Sequence, residues 1–411
     1  MNEKKKLQPK VRFREFTGEN APDWEQRKLG EIAKDSIGGG TPKTEVVDYW
    51  DGNLPWIQSS DLLEHKLDTV EIKKKISYKG LENSAAKLVP ANSIAIVTRV
   101  GVGKLAIIPF DYSTSQDILS LCYLKINKFF AAYLIYRVIQ RQLKFIQGTS
   151  IKGITKSELL NFNLLLPESL SEQECIGNLL KKIDKLITLH QRKLEQLEQL
   201  KNTLLSKMFP KSGTNIPEIR FSGFTDAWKQ RKLKEMLEER NELILESKDY
   251  PLMSFVQGKG VIPKSNRYDR SFLVKNDKKK YKKTELNDFI YSSNNLETGS
   301  IGFNKTGNAV ISPVYSIFKS KNKLESRFIG IISRRKDFIA KMLKFRQGVV
   351  YGQWKIDEDD FLNISVFTPN IETQKYIIDL FIIIDNYIAI HQRKLEQLKN
   401  LKQTLLNKMF I

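Results

Sequence analysis

The sequence predicts a mixed α/β (α+β) fold in which two globular domains are joined by two long antiparallel coiled-coil helices, with a pseudo-two-fold repeat. Two observations carry this prediction. The segment HQRKLEQLEQLKNTLLSKMF at 190–209 returns as HQRKLEQLKNLKQTLLNKMF at 391–410, with four of twenty positions changed. The segment WEQRKLGE at 24–31 returns as WKQRKLKE at 228–235. The chain therefore contains two copies of the same pair of segments, which we call the frame, and each copy flanks a region that the other copy does not share.

The repeats divide the chain into six predicted segments. They are an N-terminal repeat element at 1–32, a first variable domain at 33–167, a central helix at 168–210, a second repeat element at 211–236, a second variable domain at 237–369 and a C-terminal helix at 370–411. The variable domains do not match each other in sequence, whereas the frame does. This pattern favours two modules that dock alike but bind different things.

Each repeated helix is predicted to be about 38 residues long and follows a proline, Pro167 or Pro369. Apolar residues recur at a spacing near 3.5 residues, which is typical of a coiled coil. The seam residues are Ile183, Ile187, Leu194, Leu197, Leu204 and Met208 in the first helix, and Ile384, Ile388, Leu395, Leu398, Leu405 and Met409 in the second. A helix this polar needs a partner, and its own copy is the nearest one. Chain order makes that pair antiparallel.

Polar residues interrupt the predicted seam. His190 and His391 take equivalent positions, and either Leu200 or Lys201 takes another. A polar residue in an apolar seam commonly fixes the register, so we assign that role to the two histidines rather than metal binding.

The charge of the chain points to a polyanion as its partner. The sequence has 411 residues and a formal charge of +21, from 68 Lys and Arg against 47 Asp and Glu. Basic residues recur along the whole length, and a surface this basic attracts nucleic acid. The hydrophobic content of 41% is enough for a buried core.

The chain is expected to be soluble and cytoplasmic, without membrane contact. The start, MNEKKKLQPK, lacks the apolar core of a signal peptide, and the most apolar run, at 377–390, contains Asp379, Asp385 and Asn386. Two cysteines allow at most one disulfide, and neither they nor the three histidines show the spacing of a structural zinc site.

The variable domains are predicted to contain short strands and amphipathic helices. In the first, SIAIVTRVGVGKLAIIPF at 93–110 predicts two strands joined by a turn, and the segment from Phe130 predicts a helix. In the second, 288–303 predicts strand, polar loop and strand, and AVISPVYSIFKS at 309–320 predicts one further strand. The segment from Phe338 is the expected counterpart of the first helix.

Basic and polar residues concentrate in the loops of both variable domains. Lys and Arg contact phosphates, whereas Asn, Gln and Ser read base edges. The candidate DNA-binding residues are Lys43, Ser59, Ser60, Arg99, Lys104 and Gln116 in the first domain, and Gln257, Lys259, Lys264, Arg267, Asn294 and Asn295 in the second.

No catalytic motif is recognised in the sequence. There is no Asn/Asp-Pro-Pro-aromatic motif of an amino-methyltransferase, and the GVGKL segment lacks the first Gly and the final Ser or Thr of a phosphate-binding loop. The acidic run at 357–360 suits a helix N-terminus. The chain is interpreted as a binding protein; the alternatives are a coiled-coil scaffold for acidic proteins and a self-sufficient DNA nuclease or methyltransferase.

Four segments together carry a family resemblance. They are the helix SEQECIGNLLKKIDKLITLHQRKLEQLEQLKNTLLSKMF with its copy, GGGTPKTEVVDYWDGNLPWIQSSDL at 38–62, NNLETGSIGF at 294–303 and ISPVYSIFKS at 311–320. On these segments nearly the whole chain resembles the DNA-specificity (S) subunit of type I restriction–modification enzymes.

The resemblance implies a division of labour. Each variable region would be a target-recognition domain that reads one half of a split, asymmetric double-stranded DNA target, and the helices would set an unread spacer of fixed length. Two modification (methyltransferase) subunits would dock along the repeated elements, and restriction/translocase subunits would join through them. The resemblance implies no catalytic residue, metal or cofactor in this chain, because S-adenosylmethionine, ATP and Mg belong on the partner subunits.

Overall fold

A computed structural model describes residues 7–18, 21–146, 153–211, 213–256, 260–263, 279–297, 299–322, 324–349 and 353–411. The chain divides into two compact units. Unit 1 contains residues 1–192 and 392–411, and unit 2 contains residues 193–391. Both boundaries fall within the repeated helices.

Unit 1 is built on a four-stranded antiparallel sheet. Its elements are β1 (Glu25–Lys28), β2 (Ala33–Gly38), β3 (Leu54–Ile57), β4 (Lys74–Ile76), α1 (Tyr78–Glu82), β5 (Ser93–Val97), β6 (Leu105–Ile108), β7 (Ser113–Thr114), β8 (Ile118–Leu124), α2 (Lys128–Ile146), α3 (Lys156–Leu160), β9 (Asn163–Leu166) and the first part of α4 (Leu170–Lys207). The main sheet has the order β2-β8-β5-β6, a smaller sheet has the order β4-β3-β7, and β1 pairs with β9.

The main sheet of unit 1 is buried on both faces, which explains its unbroken apolar strands. Ile94 and Ile96 belong to one hydrophobic cluster with α2, whereas Ala95 and Val97 belong to another with Ile57 of the smaller sheet. The two strands predicted within 93–110 are confirmed as β5 and β6, and the turn between them contains two glycines with positive φ at positions 101 and 103.

Unit 2 repeats the sheet architecture of unit 1. Its elements are β10 (Lys229–Lys232), β11 (Leu237–Glu239), β12 (Leu243–Ile244), β13 (Met253–Val256), β14 (Gly260–Pro263), β15 (Tyr281–Thr284), β16 (Phe289–Tyr291), β17 (Ile301–Phe303), β18 (Ala309–Ile311), β19 (Ser316–Ser320), α5 (Glu325–Ile332), α6 (Lys336–Leu343), β20 (Gln347–Val349), β21 (Gln353–Lys355), α7 (Glu358–Leu362), β22 (Ser365–Thr368) and part of α8 (Ile371–Lys408). Its main sheet has the order β11-β19-β16-β17, and β10 pairs with β22.

The two main sheets therefore share one topology, in which the last strand lies between the first and the second. The sequences of the variable domains do not reveal this likeness.

Two expectations from the sequence are corrected by the structure. The segment 309–320 forms two strands, β18 and β19, because Pro313 lies at a turn between them. The helix that follows the last sheet strand in unit 2 is α5, so α5, rather than α6 at Phe338, is the topological counterpart of α2.

The long helices are confirmed at 38 residues each. Both are capped by a side chain before the first turn: Ser169 Oγ accepts from the N–H of Glu172, and Asn370 Oδ1 accepts from the N–H of Thr373. Buried and half-buried positions alternate at four and three residues along each helix, which is the spacing of a coiled-coil seam. The seam includes Lys201, whereas the alternative residue, Leu200, is 46% exposed.

Each unit contains one segment of α4 and one of α8, and the two segments run antiparallel. In unit 1 Lys402 Nζ lies 2.7 Å from Asp184 Oδ1, and in unit 2 Lys201 Nζ lies 2.5 Å from Asp385 Oδ1. These two ion pairs are equivalent, because each partner is shifted by 201 positions. The duplication of sequence is thus a duplication of structure, and the predicted fold class is confirmed.

The repeated segments meet in the core of each unit. In unit 1 the ring of Phe410 lies 6.4 Å from that of Trp24 and 5.4 Å from that of Phe130. In unit 2 the ring of Phe209 lies 5.7 Å from that of Trp228. Trp24 and Trp228 come from the shorter repeat, and Phe410 and Phe209 come from the ends of the long helices. In each unit the two repeats therefore pack against each other.

Candidate nucleic-acid interface

The loops that carry the unit 1 candidates meet at one end of its two sheets. Because β2 and β8 are antiparallel, the end of β2 lies beside the start of β8, with Gly38 opposite Leu119. By the same rule the end of β5 and the start of β6 lie at this edge. The strands β3 and β7 are parallel, and both end there. The structure therefore brings Lys43, Ser59, Ser60, Arg99, Lys104 and Gln116 to one rim of unit 1, which we call the unit 1 rim.

The glycine-rich loop after β2 is packed tightly on this rim. The hydroxyl of Thr41 donates to Gln116 Oε1 at 2.6 Å, and the N–H of Gly40 donates to the carbonyl of Thr114 at 2.8 Å. A Cβ on Gly40 would lie 2.2 Å from the carbonyl oxygen of Ala85, so no larger residue fits there. This packing fixes the positions from which Lys43 and Gln116 project.

Two tryptophans support the loop from behind. Trp50 Nε1 donates to the carbonyl of Lys43 at 3.1 Å, and Trp56 Nε1 donates to the carbonyl of Gly40 at 3.0 Å. Their rings meet edge to face at 5.1 Å, and Lys74 Nζ lies above both rings. The backbone of Lys43 is thereby held, whereas its side chain is exposed.

The other unit 1 candidates differ in how free their side chains are. Arg99 is exposed and Lys104 is half-buried. Ser60 is exposed, but its hydroxyl donates to the buried carboxylate of Asp61 at 3.3 Å, and Lys73 Nζ lies 3.7 Å from that carboxylate. Ser59 is half-buried in the same 3-10 turn. Arg99, Lys43 and Gln116 are consequently the best placed to reach a ligand.

The unit 2 candidates that the structure describes lie at the corresponding end of its sheet. Asn294 and Asn295 follow β16 just as Arg99 follows β5. Asn294 Oδ1 accepts from the N–H of Trp354 at 2.6 Å, so this oxygen positions the β20–β21 hairpin. Asn295 is exposed. The remaining candidates, Gln257, Lys259, Lys264 and Arg267, lie outside the described residues.

Trp354 is a feature that the sequence analysis missed. Its side chain is 44% exposed, and the guanidinium of Arg346 lies 4.5 Å from its ring and 2.7 Å from the carboxylate of Glu297. An exposed tryptophan held in place beside an arginine is suited to stacking on bases. The sequence shows this tryptophan but not its exposure, which depends on the hairpin.

The structure also locates the remaining sequence features. His190 and His391 are half-buried at equivalent seam positions, and neither is without a partner. Cys122 and Cys175 are both free thiols. Asp357 caps α7 by accepting from the N–H of Asp359, as the acidic run predicts. Within the described ranges, no three His, Cys, Asp or Glu side chains form a group that could hold a metal ion.

None of the described helices has both the length and the apolar composition that a membrane-spanning helix requires.

Comparisons with known proteins agree with the architecture. The family model described as the type I restriction modification DNA specificity domain matches residues 22–199. The MjaVIII specificity subunit of Methanocaldococcus jannaschii is 24% identical over 430 residues, which cover 96% of this chain and 94% of that protein. The EcoR124I/EcoR124II specificity subunit of Escherichia coli is 30% identical over 172 residues, or 39% of this chain and 41% of that protein.

The matches differ in extent. The MjaIX specificity subunit of M. jannaschii is 27% identical over 201 residues, which cover 47% of this chain and 45% of that protein. The chain therefore spans under half the length of this relative and of the E. coli protein. The crystal structure of the S subunit from M. genitalium covers 98% of this chain and 99% of that chain, with a TM-score of 0.63 and 16% identity, and shows the same fold.

These comparisons agree with the sequence resemblance: residues 22–199 match the family model, and the chain is similar over most of its length to the MjaVIII specificity subunit and to the fold of a solved S subunit.

Proposed function

We propose that each unit reads one half of a bipartite, asymmetric target in double-stranded DNA. The first reading domain is placed at 33–167 and the second at 237–369. The supporting observation is the unit 1 rim, where six predicted contact residues from separate loops converge at one end of two sheets. Unit 2 supports the same sheet topology with unrelated loops, which favours unlike half-sites. The long helices would set the spacer between the two halves.

Methylome sequencing tests this proposal. Cells that carry the partner subunits are compared with and without this chain. We expect one methylated motif to appear with the chain, consisting of two unlike half-sites and an unread spacer. A palindromic motif, a continuous motif or no new motif would contradict the proposal. Methylation by the purified chain alone with S-adenosylmethionine would instead support the self-sufficient enzyme.

Removing two cations of the unit 1 rim should weaken DNA binding without removing the fold. We expect Lys43→Ala with Arg99→Ala to lower the slope of log affinity against log salt by about 2 for a duplex that carries the motif, because about one phosphate contact is lost per cation. Fluorescence anisotropy at several salt concentrations measures this change. Lys125→Ala is the control, because Lys125 is exposed at the opposite end of the same sheet, after β8. Equal slopes for the control and the rim variant would exclude the rim as the interface.

We further propose that modification subunits dock on a second apolar stripe of the long helices, and that restriction/translocase subunits assemble through them. In unit 2, α8 exposes Tyr376, Ile383, Tyr387 and Ile390, which are between 48% and 56% exposed and are spaced by multiples of about 3.5 residues. In unit 1, α4 exposes Leu186 and Leu189 at the positions equivalent to Tyr387 and Ile390. An apolar stripe beside an occupied seam suits a helix from a partner.

The docking proposal predicts the effect of charge on the stripe. We expect Tyr387→Glu with Ile390→Glu to reduce the affinity for a modification subunit at least about tenfold, because two carboxylates would be buried in an apolar contact. Co-purification and calorimetric titration measure the loss. Asn400→Glu with Asn407→Glu places the same charge on exposed positions of α8 away from the stripe and should leave assembly intact. Full assembly of the stripe variant would refute this site.

A further inference from the structure

Unit 2 contains a recess of about 210 Å³ between α5, α8 and the loop after β17. A single water needs roughly 15 Å³ on the same measure, so the recess accommodates a larger ligand. Its apolar wall includes Ile331, Phe381 and Ile382, and its polar wall carries Lys305, Arg327 and Arg334. The recess therefore has an apolar wall, which we call its apolar floor, and a polar wall with three cations.

One carboxylate faces these three cations, and it is already in use. Asp385 Oδ1 accepts from Lys201 Nζ at 2.5 Å, and Asp385 Oδ2 lies 3.4 Å from Lys305 Nζ and 3.7 Å from Arg334. Arg327 donates its Nε to Asn287 Oδ1, which is neutral. The side chains that line the recess thus carry three positive charges and one negative charge, and Lys201 adds a further cation.

In unit 1 the equivalent aspartate binds one lysine and one neutral hydroxyl, so no additional cation among the described residues contacts it. There Asp184 binds Lys402 at 2.7 Å, and the hydroxyl of Tyr133, a buried residue of α2, donates to Asp184 Oδ2 at 2.6 Å. Unit 2 replaces this neutral donor with Arg334, which follows α5, and with Lys305. The additional cations are therefore a property of unit 2 rather than of the shared frame.

Partial burial of a positive charge raises the free energy of the folded chain unless an anion binds beside that charge. Lys305 and Arg334 are 34% and 21% exposed at the side chain, so water solvates them incompletely. Burial and the nearby charge of Arg334 lower the pKa of Lys305, which is consistent with uncompensated positive charge. An arginine fork matches the oxygens of phosphate, and a lysine adds a point charge.

We propose that this recess is a binding site for a phosphate group, held by Lys305, Arg327 and Arg334. The group belongs either to a free nucleotide, whose base packs on the apolar floor, or to the backbone of DNA. This site is separate from the rim loops at the ends of the strands.

Calorimetric titration of the full-length chain with inorganic phosphate in low-salt chloride buffer tests the site. We expect saturable binding that Lys305→Gln with Arg334→Gln weakens at least tenfold. Lys319→Gln with Lys341→Gln removes the same charge from two cations of unit 2 outside the recess, of which Lys319 is half-buried and Lys341 is exposed, and should change the affinity less than twofold. Absence of saturable binding to the wild type, or equal losses in both double variants, would overturn the proposal. Circular dichroism checks folding, and Arg327→Gln, on the other side of the recess, gives an independent reduction if the double variant unfolds.

Two further titrations distinguish the sources of the phosphate. If the ligand is a free nucleotide, a 5′-mononucleotide binds more tightly than inorganic phosphate, and duplex DNA of unrelated sequence does not displace it. If the ligand is the DNA backbone, that duplex competes with phosphate, and the recess variant lowers its salt slope. Either result supports the site. The outcome of the methylome experiment does not alter these titrations, so failure of one proposal leaves the other testable.

Discussion

Phe410→Ala is expected to lower the free energy of unfolding of unit 1 by about 3–5 kcal/mol, the range for removal of a buried aromatic side chain. Phe410 is 2% exposed and packs against Trp24 and Phe130, so truncation leaves a cavity that rigid neighbouring rings fill poorly. Hydrogen exchange measured by mass spectrometry is the suitable assay, since it reports each unit separately in a chain whose unfolding need not be two-state. Peptides from β5 and α2 should exchange faster, whereas peptides from β16 should not.

Two variants control this experiment. Phe209→Ala should produce the same loss in unit 2, because Phe209 occupies the equivalent place beside Trp228. Phe345→Ala removes a phenylalanine that is 37% exposed, and it should cost less than about 1.5 kcal/mol. A cost of less than about 1 kcal/mol for Phe410→Ala would show that the end of α8 does not complete the unit 1 core in solution.

Exchange of residues 33–167 for the corresponding region of a relative is expected to replace one half-site of the methylated motif and leave the other unchanged. The exchanged part carries the whole main sheet and the unit 1 rim, whereas unit 2 is untouched. Methylome sequencing reads both halves at once. The reciprocal exchange of residues 237–369 should alter the other half only.

The exchange has a structural requirement. Strand β9 at 163–166 moves with the graft, but its partner β1 at 25–28 stays behind. A donor with the same apolar pattern in β9 preserves this ladder, because Leu164 and Leu166 are buried in the core. A change in both halves of the motif after a well-folded exchange would contradict independent reading by the two units.

The sequence was most informative where structure is local and periodic. The 3.5-residue spacing predicted both long helices and their seam, and the glycines at 101 and 103 predicted the β5–β6 turn. It was least informative where structure depends on distant pairing. The shared topology of the main sheets arises from contacts between strands far apart in sequence, so unlike sequences concealed it.

The candidate DNA-binding residues also depend on contacts between distant parts of the chain, which the sequence does not show. Charge and residue type predicted which loops carry candidate residues, and the strand pairing then placed six of these residues, three of them cations, on one rim. Neither charge nor residue type revealed that Ser60 is engaged by Asp61, or that Trp354 is exposed on a hairpin. Whether a polar side chain is available for a ligand depends on its neighbours, which only the folded chain defines.

The division of the long helices between the units has a consequence for synthesis. Unit 2 is one continuous stretch, 193–391, whereas unit 1 requires residues 392–411 to bury the rings of Trp24 and Phe130 beneath Phe410. On the ribosome, residues 1–192 emerge first but lack the segment that closes their hydrophobic core. The hydrophobic core of unit 1 can therefore be completed only after residues 392–411 have been synthesised.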